Sequence, residues 1–600
     1  MTVTSSAASE VLLENARAPG RDGRAIWHKS APARVRRAFR RGDVAAGWTA
    51  WKRQLARRTR PIDPDELLPG KRPALNWALP EGIGTVPAPS TMAAEEELAA
   101  WMADSAGSGV DVEFALGALA WCRALPRLAE VLPTAAWWQL LDNLLATAAD
   151  AGRLELEDPS CPQAPLIHQL LAGELALTLA YLLPEITPCR KLARPGRRAL
   201  SAGLVDLLDG NGLPHARYFD LLRPLLACWT RCRAIGQRLR GGCWSKAAEW
   251  QYHWLIHQGL RFTRRDGSHV LCDGSAASRS ADLFDAALCF SDDQDDQAIA
   301  AAVLPRKKKK AGKSRQRRVI LAKPALHSPW AAAALLRPEW SPSAPRLTVL
   351  YGGQSVRMEL GCGRDVLWSG VWELDVSLDG EPATPDCDWE EVCWVSDDDA
   401  DYLELQIELT GRFRVQRQIL LARRHRFLLL ADVILGTRPG TLQYRGRLPL
   451  GKEISFDPAG ETREGFLVGK KGRASVLPLA LPEWRSDRRI GELTPTAQGL
   501  ELAETVRARR LYAPLFVDLD RRRITRPLTW RQLTVAESLA AQPPEVAVGY
   551  RVATGNRQWL IYRSLAEKAN RTLLGHNLST EMLVAKFDRC GEVHPLVEIE

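Results

Sequence analysis

The chain lacks the short signatures of nucleotide and serine-hydrolase chemistry. Its 600 residues contain no phosphate-binding glycine loop, no dinucleotide fingerprint and no Gly-x-Ser-x-Gly elbow. Its 12 cysteines include no Cys-x-x-Cys, and Cys228 and Cys232, one helical turn apart, have no matching pair or nearby ligand cluster. Free, mostly buried thiols in a reducing compartment are the expectation. Long apolar runs are missing too. The most apolar helical stretch, Leu175 to Leu183, is short and preceded by Glu174, so no transmembrane segment is expected. Met1-Thr2-Val3-Thr4-Ser5 does not lead from a basic segment into an apolar core, so neither a signal peptide nor export is expected, and the expected location is cytoplasmic. Outside one run, the chain has little excess charge of either sign. The formal net charge is +10, and Arg306 to Arg318 alone holds nine basic residues and no acid, leaving about +1 for the rest. No zinc-finger or RNA-recognition spacing accompanies that run, so a specific nucleic-acid partner is not expected.

What is present is ordinary globular composition, 46% hydrophobic and 25% charged, in a chain long enough for two or three folding units. The 21 tryptophans can fill cores or stack on flat apolar faces such as those of sugar rings. Residues 1–90 read as an irregular basic N-terminal segment, with Arg34, Arg36, Arg37, Arg40 and Arg41 on a helix and Trp48 and Trp51 after it. Pro61, Pro64, Pro69 and Pro73 then interrupt regular structure. Residues 91–291 are helical in pattern throughout. Candidate helices are Met92–Ala103, Val112–Leu125, Ala135–Ala151, Pro165–Leu183, Arg197–Leu208, Phe219–Arg238, Ser245–Phe262 and Ala281–Phe290. Short loops make antiparallel helix pairs, and periodicity alone leaves a bundle, a solenoid and a ring of hairpins open. Residues 292–344, with opposite charge blocks, read as a charged linker.

In residues 345–600 the period changes to two. Leu403, Leu405, Ile407 and Leu409 alternate cleanly, Thr410-Gly411 turns the chain, and Phe427 to Ile434 is a nearly continuous apolar strand. Further strands are expected at Leu347–Tyr351, Val356–Leu360, Val366–Leu374, Leu442–Leu448, Leu500–Val506, Val546–Val552 and Trp559–Arg563, with a hairpin turn at Gly555-Asn556. So many antiparallel strands point to a large sandwich.

One loop concentrates chemistry. Asp209-Gly210-Asn211-Gly212-Leu213-Pro214-His215-Ala216-Arg217-Tyr218 joins two apolar helical runs and gathers an amide (Asn211), an imidazole (His215), a fixed cation (Arg217) and a phenol (Tyr218). Removing a proton next to a carboxylate and protonating a leaving oxygen needs those groups. The plain alternative is an interhelical loop with Tyr218 packed and His215 in solvent. Other constellations are weaker. His253 and His257 sit four apart on a helix, a metal-gripping spacing, but Trp254 stands where a zinc protease has Glu and no third ligand is evident. Trp250, Tyr252 and Trp254, with His253, fit a substrate-lining helix face better than a metal site, and plain core packing is the alternative to both. Asp397 to Asp401 lacks the Gly and Glu spacing of a calcium loop. Trp137 and Trp138, about 100° apart on a helix, are expected to put one ring in the core and the other toward a cleft. No metal and no cofactor are expected.

A helical domain followed by a large sandwich resembles the heparinase II/III-like polysaccharide lyases. Two passages carry the resemblance. The loop 209–219 is similar to the family's Asp-Gly-Gly-His-x-x-Arg-Ser/Asn-Pro-type segment. Arg417-Gln418-Ile419-Leu420-Leu421-Ala422-Arg423-Arg424-His425-Arg426-Phe427-Leu428-Leu429-Leu430-Ala431-Asp432-Val433 is similar to its paired sandwich strands, where a basic strand and turn precede an apolar strand ending in Asp-x-Val/Ile. The resemblance implies an incomplete (α/α) toroid followed by a β-sandwich, substrate in the cleft between them, and β-elimination on uronic-acid-containing glycans. His215, Tyr218, Asn211 and Arg217 would be catalytic, and an acidic polysaccharide the partner. This chain departs from the pattern in three places. The histidine before the family's Arg is displaced to His215, Phe219 replaces a histidine, and Tyr351 to Leu360 has none of the histidines that active members carry there. The alternative expectation is therefore an inactive lyase-fold protein that binds acidic polysaccharide or serves as a scaffold.

Overall fold

The computed structural model describes residues 26–58, 63–69, 74–107, 109–158, 160–272, 281–291, 293–305, 321–470, 473–487 and 491–600. The basic run 306–318 lies outside them. The chain divides into two compact units, residues 1–263 with 267–314, and residues 264–266 with 315–600.

The first unit is helical. Asp111 accepts from the Phe114 amide to start Val112–Leu128, and Ser245 accepts from Ala248 to start Lys246–Arg261. At its centre Ala164–Leu182 runs as one continuous helix of 19 residues, buried from Pro165 onward, with a π-helical segment at Gln169–Leu175. The expected helix Pro165–Leu183 is thus present to within one residue at each end, with Glu174 inside it. Ion pairing explains why a buried Glu174 is tolerated there. Arg231 grips both Glu174 oxygens at 2.7 Å, and Arg123 reaches Glu174 at 3.2 Å and Asp65 at 2.7 Å. A carboxylate taken out of water stands only when paired in this way. By length and composition this helix is long and apolar enough to cross a membrane, but here it is buried inside the unit. Its neighbour Ala193–Asp206 approaches closely through Gly203, where a Cβ would lie 2.3 Å from the Gln169 side chain.

The expected irregular N-terminal segment contains two helices, Ala33–Arg40 and Val44–Ala56. Rings from this segment cover helix Thr134–Ala151, with Trp48 of the second helix at 5.2 Å from Trp137 and Trp27, before the first helix, at 6.2 Å from Trp138. Trp137 and Trp138 are therefore both buried, and the expectation that one faces a cleft is corrected. The stretch expected as a linker likewise contains helix Gln294–Val303 and strands Leu326–Ser328 and Ala333–Leu336. All 12 cysteines are free, but only five are buried.

The second unit is antiparallel β-structure. Its longest strand, Phe427–Leu448, pairs with Phe413–Ala422, Asp365–Leu378 and Gly499–Asp518, with a bulge between Leu435 and Gly440. A five-stranded sheet runs in the order Leu528–Leu533, Ala547–Thr554, Arg557–Ser564, Met582–Phe587, Val593–Ile599. Phe427, Leu429, Ala431 and Val433 share one buried cluster with Tyr550, Val552, Trp559 and Ile561 of that sheet. Two packed faces explain why Phe427 to Ile434 reads as continuously apolar. Both expected turns are present, at Gly411 (φ 76°) and Gly555 (φ 56°). Strand Ala400–Leu409 is buried on both faces at its start, because Tyr402 and Glu404 are covered along with Leu403 and Leu405. Arg417 and Asp432, in the passages that carried the family resemblance, are register partners. They form a fully buried ion pair with bonds of 2.8 and 3.0 Å.

Candidate functional site

The loop 209–218 is built from its own first residue. Asp209 Oδ1 accepts from the amides of Asn211 and Leu213, both at 2.8 Å, which closes a tight turn. Gly212 completes it at φ +78°, pressed so close to helix Lys246–Arg261 that a Cβ would lie 2.6 Å from Trp254 and the Leu255 amide. Gln251 donates to the Asp209 carbonyl at 3.0 Å and Gln258 to the Asn211 carbonyl at 2.8 Å. The loop is thus fixed to the helix that carries Trp250 and Trp254, which are 64% and 44% exposed. Asn211 is exposed beside this helix.

His215 caps a short 3₁₀ turn, Ala216–Leu221, its Nδ1 accepting from the Arg217 amide at 3.3 Å. It is half-buried. Burial first, and then the Arg217 charge, push its pKa below the usual histidine value, against a smaller opposite pull from Glu157. Arg217 is exposed, stacks over the Tyr218 ring at 4.8 Å and pairs with Glu157 at 2.6 Å. Tyr218 is 3% exposed. Burial raises its pKa, with Arg217 opposing and Glu157 adding to the rise through its charge and a hydrogen bond. The result is an imidazole biased to the neutral form beside a phenol biased to the protonated form. Glu157 was not singled out from the sequence. It stands 60 residues before Arg217, in the loop after helix Thr134–Ala151, with no local motif to mark it.

Phe219 is a core residue between Phe262 (4.9 Å) and His269 (5.0 Å). His253 and His257 take different carboxylates. His253 lies 3.6 Å from Glu249, and the buried His257 lies 2.7 Å from Asp296. Tyr252, between the two exposed tryptophans in sequence, is fully buried against Thr230. Asp397 and Asp401 build a turn and a buried pair with Arg423. Glu174, Cys228 and Cys232 bring ligand atoms within 4.8 Å of one another, but both Glu174 oxygens are held by Arg231 and burial raises both thiol pKa values. That cluster does not suit a metal.

In the second unit, the passage Tyr351 to Leu360 has no histidine of its own, yet a histidine reaches it. Strand Leu326–Ser328 pairs with Ala333–Leu336, which pairs with Pro345–Leu350. His327 Nε2 thereby comes within 3.2 Å of the Tyr351 hydroxyl and 3.0 Å of Glu391, its ring stacked on Trp394 at 4.8 Å. Burial lowers the His327 pKa to about 4 and raises those of Tyr351 and Glu391.

Compared with known proteins, the chain matches no family model and no curated sequence. Solved structures do match it. A heparan sulfate lyase HepC mutant from Pedobacter heparinus aligns with a TM-score of 0.53 at 12% identity, over 91% of this chain and 99% of that one. The heparinase III-BT4657 gene product aligns at 0.56 and 10%, over 90% and 99%, and a heparinase III crystal structure at 0.54 and 11%, over 90% and 99%. The fold is that of heparinase III. The helical unit is accordingly the toroid of that fold and the second unit its β-sandwich. At such identities the likeness establishes architecture and leaves the chemistry to the residues.

Proposed function

We propose that the chain is a polysaccharide lyase that cleaves uronic-acid-containing glycans by β-elimination at the loop 209–218. One observation carries the reading. Within a lyase fold, a half-exposed imidazole biased to its neutral form stands beside a guanidinium and a phenol biased to its protonated form. Asn211 and Arg217 neutralise the uronate carboxylate and stabilise the enolate that develops. His215 takes the C5 proton, the C4–oxygen bond breaks as the C4–C5 double bond forms, and Tyr218 gives its proton to the departing oxygen. The raised Tyr218 pKa favours this acid role over a base role. Trp250 and Trp254, with His253 between them in sequence, offer stacking faces for flanking sugars. The steps are proton transfers and invoke no metal or cofactor.

The test is incubation with heparan sulfate, chondroitin, hyaluronan and alginate, following the ultraviolet absorbance of the new conjugated double bond. One of these substrates gives the signal, and His215→Ala and Tyr218→Phe each lower the rate by about 10²–10⁴-fold while the fold is kept. Full activity in both variants removes the loop from the mechanism.

A second reading, an acidic-polysaccharide-binding protein without cleavage, is favoured by the Arg217–Glu157 pair at 2.6 Å, since Glu157 already holds the cation that a uronate needs. Glycan binding with no new double bond on any substrate supports that reading instead.

A further inference from the structure

A cavity of about 240 Å³ opens in the second unit, lined by Pro482, Glu483, Trp484, Asp487, Arg531 and Gln532 among others. We propose that it binds one neutral pyranose ring of a polysaccharide, at a site separate from the loop 209–218. The proposal does not depend on that loop being catalytic.

The shape comes first. Arg463 is only 8% exposed, and its guanidinium donates to the carbonyls of Pro482 (3.2 Å), Trp484, Arg485 (3.4 Å) and Asp487 (2.9 Å). Its own amide donates to the Glu483 carbonyl at 2.9 Å. A buried cation is thus spent on holding the backbone of a surface loop. A loop ordered in advance loses little entropy when it takes a ligand. On this fixed loop stands Trp484, 47% exposed. The cavity's inner side is fixed as well, with the Trp530 indole donating to the Leu481 carbonyl at 3.0 Å and the Thr529 hydroxyl to Glu483 at 2.7 Å.

The chemistry follows from the lining. An exposed indole offers a flat apolar face to the C–H side of a sugar ring. A carboxylate, a guanidinium and an amide around it are the paired donors and acceptors that hydroxyls need. Two acids and one base do not make the cationic patch that a sulfate or carboxylate selects. The volume falls below the ~300–1,000 Å³ typical of drug-sized ligand pockets, so the cavity suits one ring with the rest of the chain outside.

The experiment titrates the full chain with chitohexaose, cellohexaose and heparin by calorimetry. We expect a neutral hexasaccharide to bind at one site per chain. Trp484→Ala and Gln532→Ala should each weaken it at least tenfold with heparin binding unchanged, and Trp254→Ala should bind the neutral sugar like the parent. Three results overturn the proposal: neither neutral hexasaccharide binds, Trp484→Ala binds them as the parent does, or Trp484→Ala loses heparin and keeps the neutral sugars.

Discussion

Glu157 is the residue on which the loop chemistry turns. It pulls the His215 pKa up, raises that of Tyr218 and pairs with Arg217, so one substitution reads three effects. In Glu157→Gln the upward pull on His215 disappears while burial and Arg217 still push down. The His215 pKa therefore falls further, and Tyr218 moves back toward the usual tyrosine range. The imidazole signals of His215, followed by NMR against pH, check the first shift, and the acid limb of any lyase activity should move to lower pH with it. Arg217, released from its partner, should bind acidic glycan more tightly. Both members of the pair are more than a third exposed, so the stability change should stay within about 1 kcal/mol. An unmoved His215 titration would detach Glu157 from the site. His215, Arg217 and Tyr218 could be read from the sequence because one short loop carries them. Glu157 and His327 could not, because each reaches its partners through tertiary packing, with nothing at its own position to mark it.

The same division between local and distant information holds for whole elements. Helix Ala164–Leu182 announced itself by its stripe over nearly its full length, but the pairing of its Glu174 did not, since the sequence does not show Arg231 and Arg123 arriving from other helices. The alternation at Leu403 to Leu409 was legible. The burial of its opposite face was not, because Arg563, which approaches Glu404 at 3.4 Å, comes from a strand about 160 residues later. The Arg417–Asp432 pair gives the sharpest test at this scale. Both side chains are fully buried, and Asp432 also accepts from the Tyr444 hydroxyl at 2.9 Å. Asp432→Ala strands a buried guanidinium and should cost about 3–5 kcal/mol of stability, read as a fall in the denaturation midpoint. The double change Arg417→Met with Asp432→Leu removes both charges and should recover much of that loss. A single variant as stable as the parent would mean that water reaches Arg417.

For the molecule as a whole, the change of hydrophobic period located the passage from helices to strands, whereas the order of strands was out of reach. Asp365–Leu378, Phe427–Leu448 and Gly499–Asp518 are successive neighbours although about fifty residues of chain separate each from the next, and alternation carries no partner information. Packing of this kind buries histidines, and their titration gives the unit a measurable response to acid. His327 and His425 each have a folded pKa of about 4, lowered first by burial and, for His425, further by Arg557 and Arg523. An unfolded histidine titrates near 6.5, so between about 6.5 and about 4 the unfolded chain holds more protons than the folded one. Their contribution is therefore complete above about 6.5 and is lost as pH falls toward about 4. Buried acids act in the opposite sense, since burial raises the pKa of Asp401, Asp518 and Glu391, and the total curve mixes both. A difference between two proteins separates them. His425→Asn lacks the titrating ring, so the stability gap between parent and variant should shrink steadily from pH 7 to pH 4.5 as the parent alone loses this contribution. Denaturant midpoints at pH 7, 5.5 and 4.5 measure it. A gap that stays constant across that window would show that His425 protonates as freely in the folded chain as in the unfolded one.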